Sequence, residues 1–412
     1  MKIGNGDFAM RFGWGSNMIS IKFRNPDKSQ VLIFDNVGAE LIEKSVLGDI
    51  DHAILHTRYE RFYVTPQILF YMFMNLGYIQ ITFRKGVPLL EVLKKCLRSV
   101  LGSLYRIYLL SCIQYIGPKV VITFIDNDYG FQFISRRYKG GYCLAIQNGI
   151  RCPGDLRDWL PPRPEPASII SMPFLFSLGN HDRDLYQKYG HQVDEFYPVG
   201  SLIAGYYKSQ MSVKDQKKEF DLCLVSQQLN KKTMAGNPPS VGIGVKNLDE
   251  YLKRYLEETK LTLCVALRSN DPEEREIFVR QYGKRAHLVD FDRKNRSSYR
   301  AVDKSSVVIA FDSTLATESF GWGAKVLFCN LSGYEEHNFP YPGFWSITEM
   351  NYELFKSRLD YIVSLSEEEY RELTKAVASH IVNYDPQKPP QVKIREFILE
   401  RLAVNTKEEK GI

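Results

Sequence analysis

Short apolar, β-branched runs recur along this chain with helical patterns between them, and that spacing leaves few folds open. In the first half the runs stand at Val31 to Asp35, His52 to His56, Val120 to Ile125, Tyr142 to Ile146 and Ser168 to Ser171. In the second they stand at Phe220 to Val225, Leu261 to Ala266, Ala286 to Val289, Ser306 to Ala310 and Lys325 to Cys329. Helical patterns separate them, notably Leu248 to Thr259 and Pro272 to Tyr282. Strands that alternate with helices in this way belong to parallel sheets covered on both faces. The expected class is α/β, with two Rossmann-like, doubly wound domains.

Size agrees, because 412 residues, 44% of them hydrophobic, can bury more than one core, and domains run to about 100–200 residues. The first domain is expected over 1–205, ending near Phe196 to Gly200. Gly205, Ser209, Ser212 and the charged string Lys214 to Glu219 have linker composition, which places a linker at 206–219. The second domain follows over 220–365. Ser366 and Glu369 form a capping box, in which each side chain satisfies a free backbone N–H of the other's turn. It opens closing helices over 366–404, for which a crossing back to the first domain is one course. Tyr370, Leu373, Val377 and Ile381 mark an apolar face there, and Pro386, Pro389 and Pro390 stop that helix before a last one near Val392 to Leu402. A charged tail fills 405–412.

The net charge of +6 suits anionic ligands, an anionic membrane or an ordinary solvated surface, and decides nothing alone. No nucleic-acid partner is implied. Seven cysteines are scattered without a C-x-x-C pair, which reads as reduced thiols in a core, not a disulfide framework or zinc site. The N-terminal residues lack the apolar stretch of a signal peptide, so the expected location is the cytoplasm. Phe62 to Phe83 carries no charge and has the length of a membrane span. Pro66, Asn75 and Gly77 divide it instead into a short helix and a strand from Tyr78 to Phe83.

The most informative stretch runs from Ser306 to Phe328. A buried strand leads into Asp312, Ser313 and Thr314, after which Leu315 to Phe320 can start a helix. Free N–H groups and the positive dipole end at such a start favour an anion, and small hydroxyls let phosphate oxygens come close. Glu318 lies one turn on, where a carboxylate could accept ribose hydroxyls. An ordinary N-cap followed by a solvated glutamate explains the same residues. Arg268 closes another strand, the usual place for ligand contacts in open α/β sheets, and a guanidinium there can pair with a diphosphate or make a surface ion pair. Ser226, at the end of the first strand of the second domain, would line the same cleft.

In this order of parts the second half resembles bacterial surface-polysaccharide transferases of the GT-B type: strand ends at Ser226 and Arg268, Asp290 to Tyr299 before a helix, Val308 to Thr314 with Glu318, and Gly323 to Leu327. It is similar to the Asp-Tyr-Ser-Ser segment of CDP-glycerol glycerophosphotransferases and to the Ser-Thr-x-x-x-Glu pattern of capsule and O-antigen glycosyltransferases. The resemblance implies two lobes facing across a cleft, a nucleotide-sugar donor whose phosphate Ser313 and Thr314 hold and whose ribose Glu318 holds, and a glycan or lipid-linked acceptor. In the first half, Tyr142 to Arg151 resembles the same group, but Gln147, Asn148 and Gly149 stand where glycerophosphotransferases carry Trp-His-Gly. An amide cannot take up a proton at neutral pH, so that mechanism is not carried over. Gln147, Asn148, Gly149 and Arg151 are placed on the acceptor side of the cleft.

A general base must then come from elsewhere. Asp126 follows the apolar strand Val120 to Ile125 and is the first choice, Asp128 the second and His181 the third, a local Asp-Asn turn being the plain alternative for the first two. The loop Gly333 to Tyr341 and the pair Tyr299 and Arg300 are surface loops or contacts to base and sugar. Arginine and helix dipoles can stabilise a leaving diphosphate, so no metal is expected. From Val87 to Leu110, Leu89, Leu93, Leu97, Val100, Leu104 and Tyr108 recur at helical spacing, with Lys94, Lys95, Arg98 and Arg106 elsewhere on the turn. Such a helix packs on its own sheet or lies on anionic lipid, which would put the protein at the inner face of the cytoplasmic membrane. Sugar transfer is the leading reading. Polyol-phosphate transfer or sugar-nucleotide epimerisation on the same fold is the alternative, and a non-catalytic carbohydrate-binding protein the next.

Overall fold

The computed structural model describes residues 9–14, 17–58, 60–79, 89–158, 169–211, 217–227 and 238–408. Two six-stranded, wholly parallel sheets form the body. The first contains β3 (Val31–Phe34), β4 (His52–Leu55), β6 (Val120–Thr123), β7 (Tyr142–Ile146), β8 (Ser171–Ser177) and β9 (Gln192–Pro198), in the order β4-β3-β6-β7-β8-β9. The second contains β10 (Phe220–Val225), β11 (Leu263–Ala266), β12 (Ala286–Val289), β13 (Ser305–Ala310), β14 (Lys325–Cys329) and β15 (Ser346–Ile347), in the order β12-β11-β10-β13-β14-β15. A small third sheet joins the hairpin of β1 (Ala9–Trp14) and β2 (Asn17–Lys22) to β5 (Arg61–Tyr63).

Alternation of side chains along each strand explains why the runs are apolar throughout. Val31 and Ile33 join Val120, Ile122 and Leu144 in one core, whereas Leu32 and Phe34 join Val121 and Ala145 in another on the opposite face. Each face needs its own helical cover. The helix Leu89–Ile116 covers one, with Ile107, Leu110 and Ile113 wholly buried. The helix Pro390–Glu408 covers the other, although it follows the second sheet in sequence. Its Phe397 packs against Phe174, Phe176 and Tyr197 with ring centroids 5.1–5.5 Å apart, and burying a side chain of that size contributes about 2–3 kcal/mol. The chain therefore crosses back to the first lobe, at Asn383, whose N–H donates to the Leu178 carbonyl (2.8 Å). Gly200 makes room for this crossing: it has φ of 101°, and a Cβ there would lie 2.1 Å from the Asn383 carbonyl oxygen.

Local expectations fail in a few places. The fifth strand of the first half was expected over Ser168 to Ser171; Ser168 lies outside the described residues, and the strand runs from Ser171 to Ser177, taking in Pro173 despite its missing N–H. Leu76–Tyr78 forms a 3₁₀ turn where a strand was expected to begin, and 80–83 lie outside the described residues. A helix, Leu202–Ser209, capped by Ser201, enters the stretch with linker composition, of which 212–216 lie outside the described residues. The last helix runs to Glu408, into the expected tail. The capping box at Ser366 and Glu369 forms, with bonds of 2.8 and 3.1 Å.

Candidate active site

The carboxyl ends of β10, β11 and β13 open on a cavity of about 670 Å³, whose far wall is Ile150 and Cys152 of the first lobe. Ligands of open parallel sheets bind at such a place. Ser226, Arg268, Ser313 and Thr314 all line it. Ser313 is in the extended conformation and caps the helix Thr314–Gly321, accepting from the Ala316 N–H. The first-turn N–H groups of Thr314 and Leu315 have no intrahelical partner. Thr314 Oγ1 accepts from the Ile150 N–H of the first lobe at 3.4 Å, so the two lobes meet at this helix start.

Positive charge is concentrated in the same wall. Arg268 is exposed to the cavity and has no ionic partner among the described residues. Arg293 and Arg296 enter from the loop after β12. Arg296 has φ of 53°, in the left-handed region, which costs a non-glycine residue about 1–2 kcal/mol. A strained arginine at the mouth of a cleft is the kind of outlier that functional sites retain.

Where the cavity meets the first lobe, His337 Nδ1 lies 2.6 Å from Asp312 Oδ2. Asp312 lies in the short turn between β13 and the helix that Ser313 caps, and His337 comes from a 3₁₀ turn, Glu335–His337, packed by the rings of Phe311 and Tyr334. With Nδ1–H donated to the carboxylate, Nε2 is the basic nitrogen. Cys152 completes a group whose donor atoms all lie within 4.8 Å of one another. These three residues are the set among those described that could hold a metal ion. The 2.6 Å contact is nonetheless a direct hydrogen bond, whereas two ligands of one tetrahedral zinc stand about 3.3 Å or more apart. As it stands, the arrangement is a hydrogen-bonded His–Asp pair with a thiol beside it.

A second cavity, about 930 Å³, continues from this point between the lobes and is lined by Arg151, His181, Asp182, Tyr341 and Arg358 among others. Ile150, Cys152, Phe311, Asp312 and His337 belong to both cavities. His181 Nδ1 lies 3.2 Å from the Tyr341 hydroxyl. Burial, then the neighbouring His380, holds its pKa down to about 4. At neutral pH it is uncharged and a weak base.

Other candidates are committed to holding the structure. Asp126 is fully buried and ion-paired with Arg151, and it also accepts from Tyr186 and the Asn148 N–H. Breaking such a pair from one side strands a buried charge, at a cost of about 3–5 kcal/mol. The carboxylate lines neither cavity at the cleft, so the expected base role does not fit this placement. Asp128 caps the helix Tyr129–Ser135 by accepting from the Phe131 N–H at 2.7 Å, and burial raises its pKa. Gln147 is buried and bonds Asp182 Oδ1 (2.7 Å), the Gly149 carbonyl and the Leu178 N–H, so it shapes the turn instead of facing a ligand. Asn148 accepts from Arg151, and Gly149 lies against Thr314. Ser226 donates to Glu274, which also holds the backbone of Arg268 and Ser269 at 2.9 Å each. Glu274 thus positions the loop that presents Arg268, a role no local pattern announces.

Glu318 departs most from expectation. It is turned away from the cavity and buried, its oxygens accepting from Ser201 of the first lobe and from Tyr299. Ribose hydroxyls cannot reach it there. Burial, against the pull of those two hydrogen bonds, raises its pKa to about 7 from the usual 4.5. The folded chain favours the neutral acid, so stability tied to this group is full below about pH 4.5 and is lost as the pH rises through about 7. Glu318→Gln removes that loss. Thermal unfolding of both proteins at pH 5 and pH 8 should show the variant gaining on the wild type by about 2–3 kcal/mol toward the higher pH; a constant gap would place the titration elsewhere.

A family model described as "putative O-antigen biosynthesis protein" matches residues 243–398. No curated protein matches the chain. Among solved structures the chain is similar to UDP-GlcNAc 2-epimerase from Neisseria meningitidis bound to UDP-GlcNAc, at 12% identity over 90% of this chain and 99% of that one, with a TM-score of 0.50. It is similar to S. aureus MnaA in a co-structure with UDP, at 13% identity over 92% and 96%, TM-score 0.50. A glycosyltransferase from Rickettsia africae matches at 10% identity over 92% and 99%, TM-score 0.49. At these identities the likeness is one of fold. The chain has the GT-B fold, two parallel-sheet lobes with a cleft between them.

Proposed function

We propose that this chain is a glycosyltransferase that moves a sugar from a nucleotide-sugar donor to a surface glycan or lipid-linked acceptor. The observation that carries the proposal is the junction of two cavities at Asp312 and His337. One cavity has the basic wall and helix start that suit a diphosphate. The other has room for a second substrate. The description of the family model, over residues 243–398, supports a surface glycan as the product.

In this reading Arg268, Arg296, Ser313, Thr314 and the first-turn N–H groups bind the diphosphate, and they stabilise the charge it gains as it leaves. The bond from the anomeric carbon to the donor phosphate oxygen breaks, and one from that carbon to the acceptor oxygen forms. The acceptor proton passes to His337 Nε2, while Asp312 holds the ring and stabilises the imidazolium. The test is incubation with a panel of sugar nucleotides, with and without a glycan acceptor. Nucleoside diphosphate released only with acceptor is the expected result. An epimeric sugar nucleotide formed without acceptor would replace transfer by epimerisation, and no turnover under either condition would overturn both.

A further inference from the structure

Eleven of the twenty-one large hydrophobic side chains exposed among the described residues fall between Val64 and Leu101. They are concentrated on two helices. Pro66–Met74 leaves Leu69, Phe70, Phe73 and Met74 between 53% and 70% exposed, and Leu89–Ile116 leaves Leu90, Leu93, Leu97 and Leu101 between 56% and 64% exposed. The helices pack on one another, with the Asn75 amide donating to Ser111 (3.3 Å) and Gln114 (2.7 Å).

The longer helix is, among the described residues, the one long and apolar enough to cross a membrane. Its last turns, however, are core: Ile107, Leu110, Cys112 and Ile113 are at 0% exposure and pack with Leu32, Phe34 and Val121 of the first sheet. A span would extract that core, so only the first half of the helix is open to a partner. At about 100° per residue, Leu90, Leu93, Leu97 and Leu101 share an arc of about 80°. Lys94 and Arg98 adjoin it and Lys95 follows, all exposed. Over 89–106 there are four basic residues and one acidic, Glu91.

We propose that this face docks on an anionic lipid bilayer, with the leucine stripe and the Pro66–Met74 aromatics in the headgroup boundary and Lys94, Lys95 and Arg98 on lipid phosphates. Charge decides the occupant. A symmetric pairing of two copies would set basic rim against basic rim, whereas anionic headgroups neutralise each basic residue and strengthen association about fivefold per charge.

Flotation of the full chain with phosphatidylcholine vesicles, with and without phosphatidylglycerol, tests this. The wild type should float with the mixed vesicles and far less with the neutral ones. K94E/K95E/R98E should lower the partition by about a hundredfold or more, and F73S/L97S should also release the protein, both variants keeping the wild-type circular dichroism and melting temperature. Absence of the wild type from the floated fraction, equal partition of the charge-reversal variant, or a dimer that F73S/L97S dissolves would overturn the proposal.

Discussion

Replacing His337 with asparagine is expected to lower turnover by about a hundred- to ten-thousandfold, the range that a positioned general base supplies, and to leave nucleotide affinity unchanged. The division follows from where the ring sits. His337 lies at the boundary of the two cavities, held by Asp312 at 2.6 Å, whereas Arg268 and Arg296 line the first of them and not the second. A group that acts on the acceptor proton shows in kcat, and its loss should remove the acidic limb of the pH–rate profile. Asp312→Asn is expected to lower kcat as well, because an amide cannot stabilise the imidazolium. Steady-state kinetics at several pH values checks both. An unchanged profile in His337→Asn would assign proton removal to another group.

The second large effect belongs to the diphosphate. Arg268→Ala together with Arg296→Ala should weaken nucleoside diphosphate binding by about a hundredfold or more, since a hydrogen bond to a charged group is worth about 1.5–3 kcal/mol. The fold should hold, because Arg268 is exposed and Arg296 sits in a strained backbone conformation that alanine would not worsen. A nucleoside without phosphate should bind wild type and variant alike.

Most of the fold was readable because the code for it is local. Each β-branched run is its own signal, and the two parallel sheets follow from the helical patterns between runs. The placement of Ser313 and Thr314 at a helix start was readable for the same reason, since a strand end, two hydroxyls and a helix start are adjacent in sequence. What escaped depends on contacts between distant segments. His337 acquires its partner 25 residues away and Cys152 from the other lobe, so the loop Gly333 to Tyr341 read only as a surface loop or a contact to base and sugar. Its one histidine, following an inner strand, was the available signal. Glu318 was read as a ligand residue from its helical position. Ser201, 117 residues earlier, covers it, and only the closed pair of lobes shows this. Asp126 was read as a base from its strand end, but Arg151 neutralises it within the core.

The central claim is that a donor's diphosphate binds at the start of the helix Thr314–Gly321. Calorimetric titration of UDP, CDP, GDP, dTDP and CMP into the wild type and into Ser313→Ala/Thr314→Ala tests it most directly. Saturable binding of at least one nucleotide by the wild type and its loss in the double variant is the predicted result. Equal binding by both proteins would contradict the account.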